Sequence, residues 1–355
     1  MFVSSITLQV DRITMMTKQV AFLFPGQGSQ AVGMGADVYE LSPAARRVFH
    51  TFDETLGFSL SELCFQGPEE TLRATINAQP AIVAVSLAYL AAFQEALGAQ
   101  DAPWTSPLTP AFTAGHSVGE CTALVIAGAV DLAGVAYLVR ERGRLMHEEE
   151  LLCPGGMAAI IGLEAEEIQA VCEQATREAQ ETLHVANAHP GLGQVVVANY
   201  NAPGQIVISG EQHALEIATA LATKRGAKKV IPLSVSGAFH SPVMLPAAEH
   251  MAQSIASMPL NDATLPLISN ISATPLQEAS AIRAEMAQQV AASVQWIRTI
   301  EYLVDAGITT FFEIGPGKAL AGMIKRIAKG STILNVGSVA EIEKAVAFVR
   351  ETSIL

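Results

Sequence analysis

The segment Gly115-His116-Ser117-Val118-Gly119 sets a serine between two glycines in the pattern G-x-S-x-G. That pattern suits a nucleophile held at a sharp turn from strand to helix, where flanking side chains would clash and cover the hydroxyl. The helix after such a turn aims its N-terminus at the serine. The N–H of Val118 is therefore expected to face the oxyanion formed on a carbonyl under attack. A bare five-residue pattern recurs by chance. Here, however, an apolar run (Ala111 to Ala114) leads into it and a helical stretch (Thr122 to Ala129) follows. The implied chemistry is nucleophilic acyl transfer by Ser117.

A serine nucleophile needs a base, and the chain has eight histidines. His116 adjoins the serine, but neighbours on a strand point to opposite faces, which makes it a packing or orienting residue. His50, His147, His184, His189, His213 and His250 lie in helical or loop contexts with ordinary polar surroundings. His240 differs, sitting in Ser236-Gly237-Ala238-Phe239-His240-Ser241-Pro242 at the end of an apolar strand. Taken alone, a loop histidine is more often structural than catalytic. No aspartate occurs between Asp131 and Asp262, so the Ser, Asp, His order of ordinary α/β-hydrolases is not met. A Ser–His dyad is expected instead, with a carbonyl or amide orienting the imidazole.

The rest of the chain bounds what these residues can serve. Half of the 355 residues are hydrophobic and 15% are charged, enough for a sizeable core, and the net charge of −13 argues against a nucleic-acid binder. Cys64, Cys121, Cys153 and Cys172 are widely spaced and form no CxxC pair, which disfavours disulfides and zinc and fits a reducing cytoplasm. Gly26-Gln27-Gly28-Ser29-Gln30 lacks both G-x-G-x-x-G spacing and a P-loop lysine, so no nucleotide site is expected, and no metal cluster or cofactor either. Residues 1–18 read as a poorly ordered leader, with no signal-peptide form and with Met15 and Met16 as alternative starts. Pro80 to Phe93 is too short to span a bilayer and reads as a buried helix; no membrane association is expected.

The elements that must position the site follow from periodicity and punctuation. Gln19 to Phe24 is a buried strand stopping at Pro25-Gly26, Pro80 to Leu97 a helix with proline in its first turn, and Leu132 to Met146 a further helix. The middle reads as strand Gly156 to Gly162, helix Glu164 to Gln180, strands Gln194 to Asn199 and Gln205 to Ser209, helix Glu211 to Arg225 and strand Lys229 to Leu233. That βαββαβ order is ferredoxin-like and places a small domain at 153–233. Strand Leu265 to Ser269, helix Ile282 to Ala292, strand Thr309 to Ile314 and helix Lys318 to Ala328 return to α/β alternation. The fold class is thus α/β: an α/β-hydrolase-like large domain over 19–152 and 234–355 with a mostly parallel sheet, split by the small domain.

Several segments in order resemble the malonyl-CoA:acyl carrier protein transacylases, acyltransferases of fatty acid and polyketide synthesis. They are FPGQGSQ at 24–30, NAQPA at 77–81, GHSVGE at 115–120, RERGRLM at 140–146, GGMAAIIG at 155–162, NYNAPGQIVISG at 199–210, GAFHSPVM at 237–244, VQW at 294–296 and EIGPGKAL at 313–320. The resemblance runs from about 19 to 327 and leaves out the leader, 182–193 and the tail after 329.

The resemblance implies that Ser117 attacks the thioester of malonyl-CoA, that His240 takes its proton, and that the N–H groups of Gln27 and Val118 form the oxyanion hole. It implies that Arg142 pairs with the malonyl carboxylate, and that Gln295 positions His240 through its carbonyl. A guanidinium suits a buried carboxylate, although Arg142 among Arg140, Glu141 and Arg144 would otherwise read as solvated. Phe239 would crowd a substituent on the α-carbon and disfavour methylmalonyl. The partners implied are malonyl-CoA and a holo acyl carrier protein, with the enzyme a monomer. An acidic carrier would dock on a basic patch, either Lys224, Arg225, Lys228 and Lys229 or Lys318, Lys325, Arg326 and Lys329. The rivals are a carrier-protein thioester hydrolase of this fold and a catalytically silent docking module.

Overall fold

The computed structural model describes residues 19–99, 104, 106–182, 189–235, 237–352 and 354. The expected leader lies outside the described residues. Strands β1 (Val20–Phe24) and β2 (Phe112–Gly115) come first, followed by β3 (Gly155–Ile161), β4 (Val195–Ala202), β5 (Gln205–Glu211) and β6 (Lys229–Pro232). The last are β7 (Leu267–Ile268), β8 (Pro275–Leu276), β9 (Thr310–Ile314) and β10 (Thr332–Val336).

The large sheet has the order β10-β9-β1-β2-β7-β8, parallel throughout except for the antiparallel β7–β8 pair at its edge. In central β1, Val20, Phe22 and Phe24 join one core while Ala21 and Leu23 join another. This is the alternation of a strand covered by helices on both faces. The second sheet is wholly antiparallel with the order β4-β5-β3-β6. Its own core includes Ile160, Ile168, Val197 and Ile208, packed under the helices Ala165–Glu181 and Gln212–Lys224. The fold is therefore α/β-hydrolase-like with an inserted ferredoxin-like unit. Val294 ties β4 to the large sheet's helices: its N–H reaches the Ala198 carbonyl at 2.8 Å and its carbonyl accepts from Tyr200 N–H at 2.9 Å.

The observed elements depart from the expected ones at three places. Strand 265–269 shrinks to β7, and the tail beyond 329 supplies edge strand β10 and the helix Val339–Thr352. The buried helix runs Thr75–Leu97, so Pro80 sits inside it rather than in its first turn. Proline has no N–H to offer the carbonyl four residues back. That carbonyl, of Ile76, accepts instead from Arg140 Nη1 at 2.8 Å, which also reaches Asn77 Oδ1 at 2.8 Å. At 23 residues the helix is long and apolar enough to cross a membrane, but 89% of its most apolar window is buried within the fold. All four cysteines are free and buried.

Replacing Arg140 with methionine keeps much of the stem but orphans the Ile76 carbonyl. Urea denaturation of R140M is expected to show a loss of about 1–3 kcal/mol. An unchanged midpoint would remove the compensation assigned to Arg140.

Candidate active site

Ser117 follows β2 directly and precedes the helix Gly119–Ile126. Its φ of +53° lies in the left-handed region, which non-glycine residues adopt at a cost and mostly at functional turns. Two glycines make this turn possible. A Cβ on Gly119 would sit 2.2 Å from the Phe24 carbonyl oxygen, and one on Gly26 would sit 2.6 Å from that of His116. The elbow and the loop after β1 thus pack backbone against backbone, bringing Gln27 alongside. Asn270, which follows β7, braces the turn. Its Oδ1 accepts from Ser117 N–H at 2.8 Å and its Nδ2 donates to the Gly115 carbonyl at 2.7 Å. The serine's own N–H is therefore taken, whereas among the described residues no protein acceptor meets the N–H of Gln27 or Val118.

His240 lies 2.7 Å from Ser117 Oγ through Nε2. Its Nδ1 faces the carbonyl oxygens of Gln289 and Ala292, each at 3.0 Å. A carbonyl can only accept, so Nδ1 carries the proton and Nε2 turns its lone pair toward the serine. Burial, followed by the charge of Arg142 and by His116, lowers the pKa of His240 from 6.5 to about 3, against the pull of the two carbonyls. The imidazole is consequently neutral and able to accept a proton at neutral pH.

The expected positioner, Gln295, is not the one in place. It caps the helix Trp296–Asp305, and its carbonyl accepts from Thr299 N–H at 2.9 Å while its N–H reaches the Asn270 carbonyl at 2.8 Å. A carbonyl engaged in a helical turn is not free to face the imidazole. Gln289 and Ala292, in and just after the 3₁₀ turn Gln289–Ala291, offer theirs instead.

Arg142 lies mid-helix in Leu132–Leu152 and is 2% exposed, unlike its solvated neighbour Arg144, which pairs with Glu141 and Glu148. It donates to Gln79 Oε1 at 2.6 Å, Gln289 Oε1 at 2.7 Å and Ser117 Oγ at 3.2 Å. No carboxylate pairs with it among the described residues. Buried Glu120 instead accepts from Gln289 Nε2 at 2.6 Å and Asn270 N–H at 3.1 Å. Burial and then Glu285 push its carboxyl well above the usual range, toward the neutral form. A buried cation with amide partners is a strong site for an anionic ligand group.

His116, expected to pack or orient, bonds through Nε2 to Asn201 Oδ1 at 2.8 Å and lies edge-on to Trp296. Phe239 is buried with its ring against Gly237. A cavity of about 340 Å³ beside Gln27 is lined by Glu70, Arg73, Thr75, Ser234 and Val235. Among the described residues no group of three or more His, Cys, Asp or Glu is placed to hold a metal ion. Sequence reasoning missed Gln79, Asn270 and Gln289. Gln79 lies in the NAQPA segment, so its neighbourhood was marked, but its partner is 63 residues away.

Over residues 21–348 the chain matches the acyl transferase domain family. It is 43% identical over 333 residues to the malonyl CoA-acyl carrier protein transacylase of Bacillus subtilis, covering 94% of this chain and 98% of that one. The crystal structure of an acyl-carrier-protein-S-malonyltransferase from Bartonella henselae superposes with a TM-score of 0.84 at 40% identity, covering 94% and 99% of the two chains. A malonyl-transacylase in complex with its type II polyketide synthase acyl carrier protein superposes with a TM-score of 0.83 at 35% identity, covering 93% and 99%.

Because His240 stays unprotonated until about pH 3, single-turnover acylation of Ser117 is expected to keep its rate as pH falls through 6.5. Its acid limb should lie more than about one pH unit lower. The unfolded chain takes up that proton near the ordinary histidine pKa of 6.5, so His240 costs the fold stability progressively as pH falls from 6.5 toward 3. An acid limb centred at the ordinary value would contradict the buried, neutral imidazole.

Proposed function

The chain belongs to the acyl transferase domain family, and on that footing we propose that it moves the malonyl group from malonyl-CoA to the phosphopantetheine thiol of an acyl carrier protein through a malonyl ester on Ser117. The observation that carries this reading is Arg142, a buried guanidinium 3.2 Å from the nucleophile with amides in place of a carboxylate partner. A free malonyl carboxylate supplies the missing charge.

Ser117 Oγ attacks the thioester carbonyl as its proton passes to His240 Nε2, 2.7 Å away. The carbonyl oxygen becomes an oxyanion facing the N–H groups of Gln27 and Val118. Collapse breaks the C–S bond and the proton on Nε2 goes to the leaving CoA sulfur, leaving the ester. In the second half the carrier thiol gives its proton to Nε2 and attacks the ester carbonyl; collapse breaks the bond to Ser117 Oγ, and the proton on Nε2 returns to that oxygen. No dissociable cofactor takes part. Phe239 disfavours a methyl on the α-carbon by about 1–3 kcal/mol.

The carrier docks on basic residues that the fold gathers from both candidate groups. The β4–β5 turn at Gly204 lies against Gly162 and Arg326, and Gly162 lies against Lys228. Arg326 also donates to the Pro203 carbonyl and to Gln205 Oε1. Against a net charge of −13, such a patch steers an acidic partner. Part of the same reading are a cytoplasmic monomer and two units, 153–233 and the remainder from 19 to 355. A hydrolase of varied acyl chains gains nothing from Arg142, which disfavours that rival.

Labelled malonyl-CoA is expected to acylate the protein, the label to vanish in Ser117→Ala, and holo carrier protein to remove it as malonyl-carrier. Rapid release of free malonate would favour the hydrolase, and no labelling would sink both. Arg142→Ala is expected to slow malonyl transfer by about 100-fold or more and acetyl transfer far less. Equal losses would remove the role given to Arg142.

A further inference from the structure

Gln79 is fully buried, and its amide oxygen lies 2.6 Å from Arg142 Nη1. A guanidinium only donates, so the oxygen must face it and the amide nitrogen must turn away. Among the described residues that nitrogen meets only the sulfur of Met146 at 3.2 Å, one turn along the helix from Arg142. Sulfur is a weak acceptor, which leaves the contact with Arg142 as the one that orients the side chain. The second amide oxygen, of Gln289, completes a cradle that supports the guanidinium with dipoles alone.

We infer that Gln79 is a specificity-determining residue: by presenting Arg142 with a neutral oxygen where a carboxylate would fit, it keeps the guanidinium's charge available for an acid group on the acyl chain. In a buried site a carboxylate at this distance would pair with the arginine and leave an incoming carboxylate facing a neutralised ion pair. Glutamate and glutamine are nearly isosteric, so one atom separates the two outcomes. Gln79 acts through Arg142 and touches no reacting atom. The inference rests on the malonyl reading of the site.

The test uses the full chain as wild type, Gln79→Glu and Gln79→Met, with acylation of Ser117 by malonyl-CoA and by acetyl-CoA followed by intact mass in single turnovers. Labelling of Ser117 by a fluorophosphonate reports whether each variant keeps a folded, reactive elbow. Q79E is expected to lower the malonyl-to-acetyl rate ratio by about 100-fold or more, because the carboxylate partner is lost. Q79M, which removes the acceptor without adding charge, should change that ratio by about fivefold or less. A Q79E enzyme with the wild-type ratio overturns the inference, as does a Q79M enzyme that loses as much as Q79E. If Q79E resists the fluorophosphonate, Gln79→Asp, a shorter carboxylate at the same position, carries the same expected ratio and decides. A wild-type protein that takes malonyl no better than acetyl overturns the malonyl reading itself, which separates the two failures.

Discussion

Gln289 holds three parts of the site at once. Its main-chain carbonyl meets His240 Nδ1, its side-chain oxygen meets Arg142, and its amide nitrogen reaches the Ser117 carbonyl at 2.8 Å and Glu120 at 2.6 Å. His240, Ser117 and Arg142 are thereby referenced to one residue in a short 3₁₀ turn. Each contact also has a fixed polarity. A carbonyl can only accept and a guanidinium can only donate, so the amide has one acceptable orientation.

The local part of this arrangement was legible in the sequence. The elbow around Ser117 is encoded by contiguous residues, and its glycines answer to contacts with the neighbouring loop. The missing aspartate correctly excluded the ordinary Ser, Asp, His order, and the alternation of apolar runs and helical stretches supplied the small sheet and four of the six strands of the large one. What stayed hidden depends on long-range pairing. Gln295 and Gln289 lie six residues apart, and only the start of a helix at Trp296, which occupies the Gln295 carbonyl, shows that the upstream glutamine must serve. Pro80 reads as a helix start in the sequence because its lost hydrogen bond is replaced by Arg140, sixty residues further on. Gln79 and Asn270 are single amides whose meaning lies wholly in their partners.

The strain at the site is distributed. Ser117 and His240 both have φ near +55°, at +53° and +57°. Neither conformation is locally favourable. Asn270 clamps the first through two bonds, and the second is held by the Val290 carbonyl, which accepts His240 N–H at 2.8 Å. The inserted unit takes part as well: Asn201 bonds His116, and Val294 stitches β4 to the segment that carries Gln289. The small sheet is therefore structurally joined to the elbow it flanks.

The buried cysteines acquire a meaning in this setting. The proposed transfer liberates one thiol and takes up another at every turnover, so the protein works amid free thiols and whatever disulfides they form. Thiol–disulfide exchange needs an accessible thiolate. Cys121 and Cys172 are pushed up to about 12 and Cys153 to about 11, chiefly by burial, and Cys64 is raised further still. The enzyme's own sulfur is thus kept out of the chemistry it performs on that of its substrates. Burial thus separates all four thiols from the disulfides that substrate thiols form.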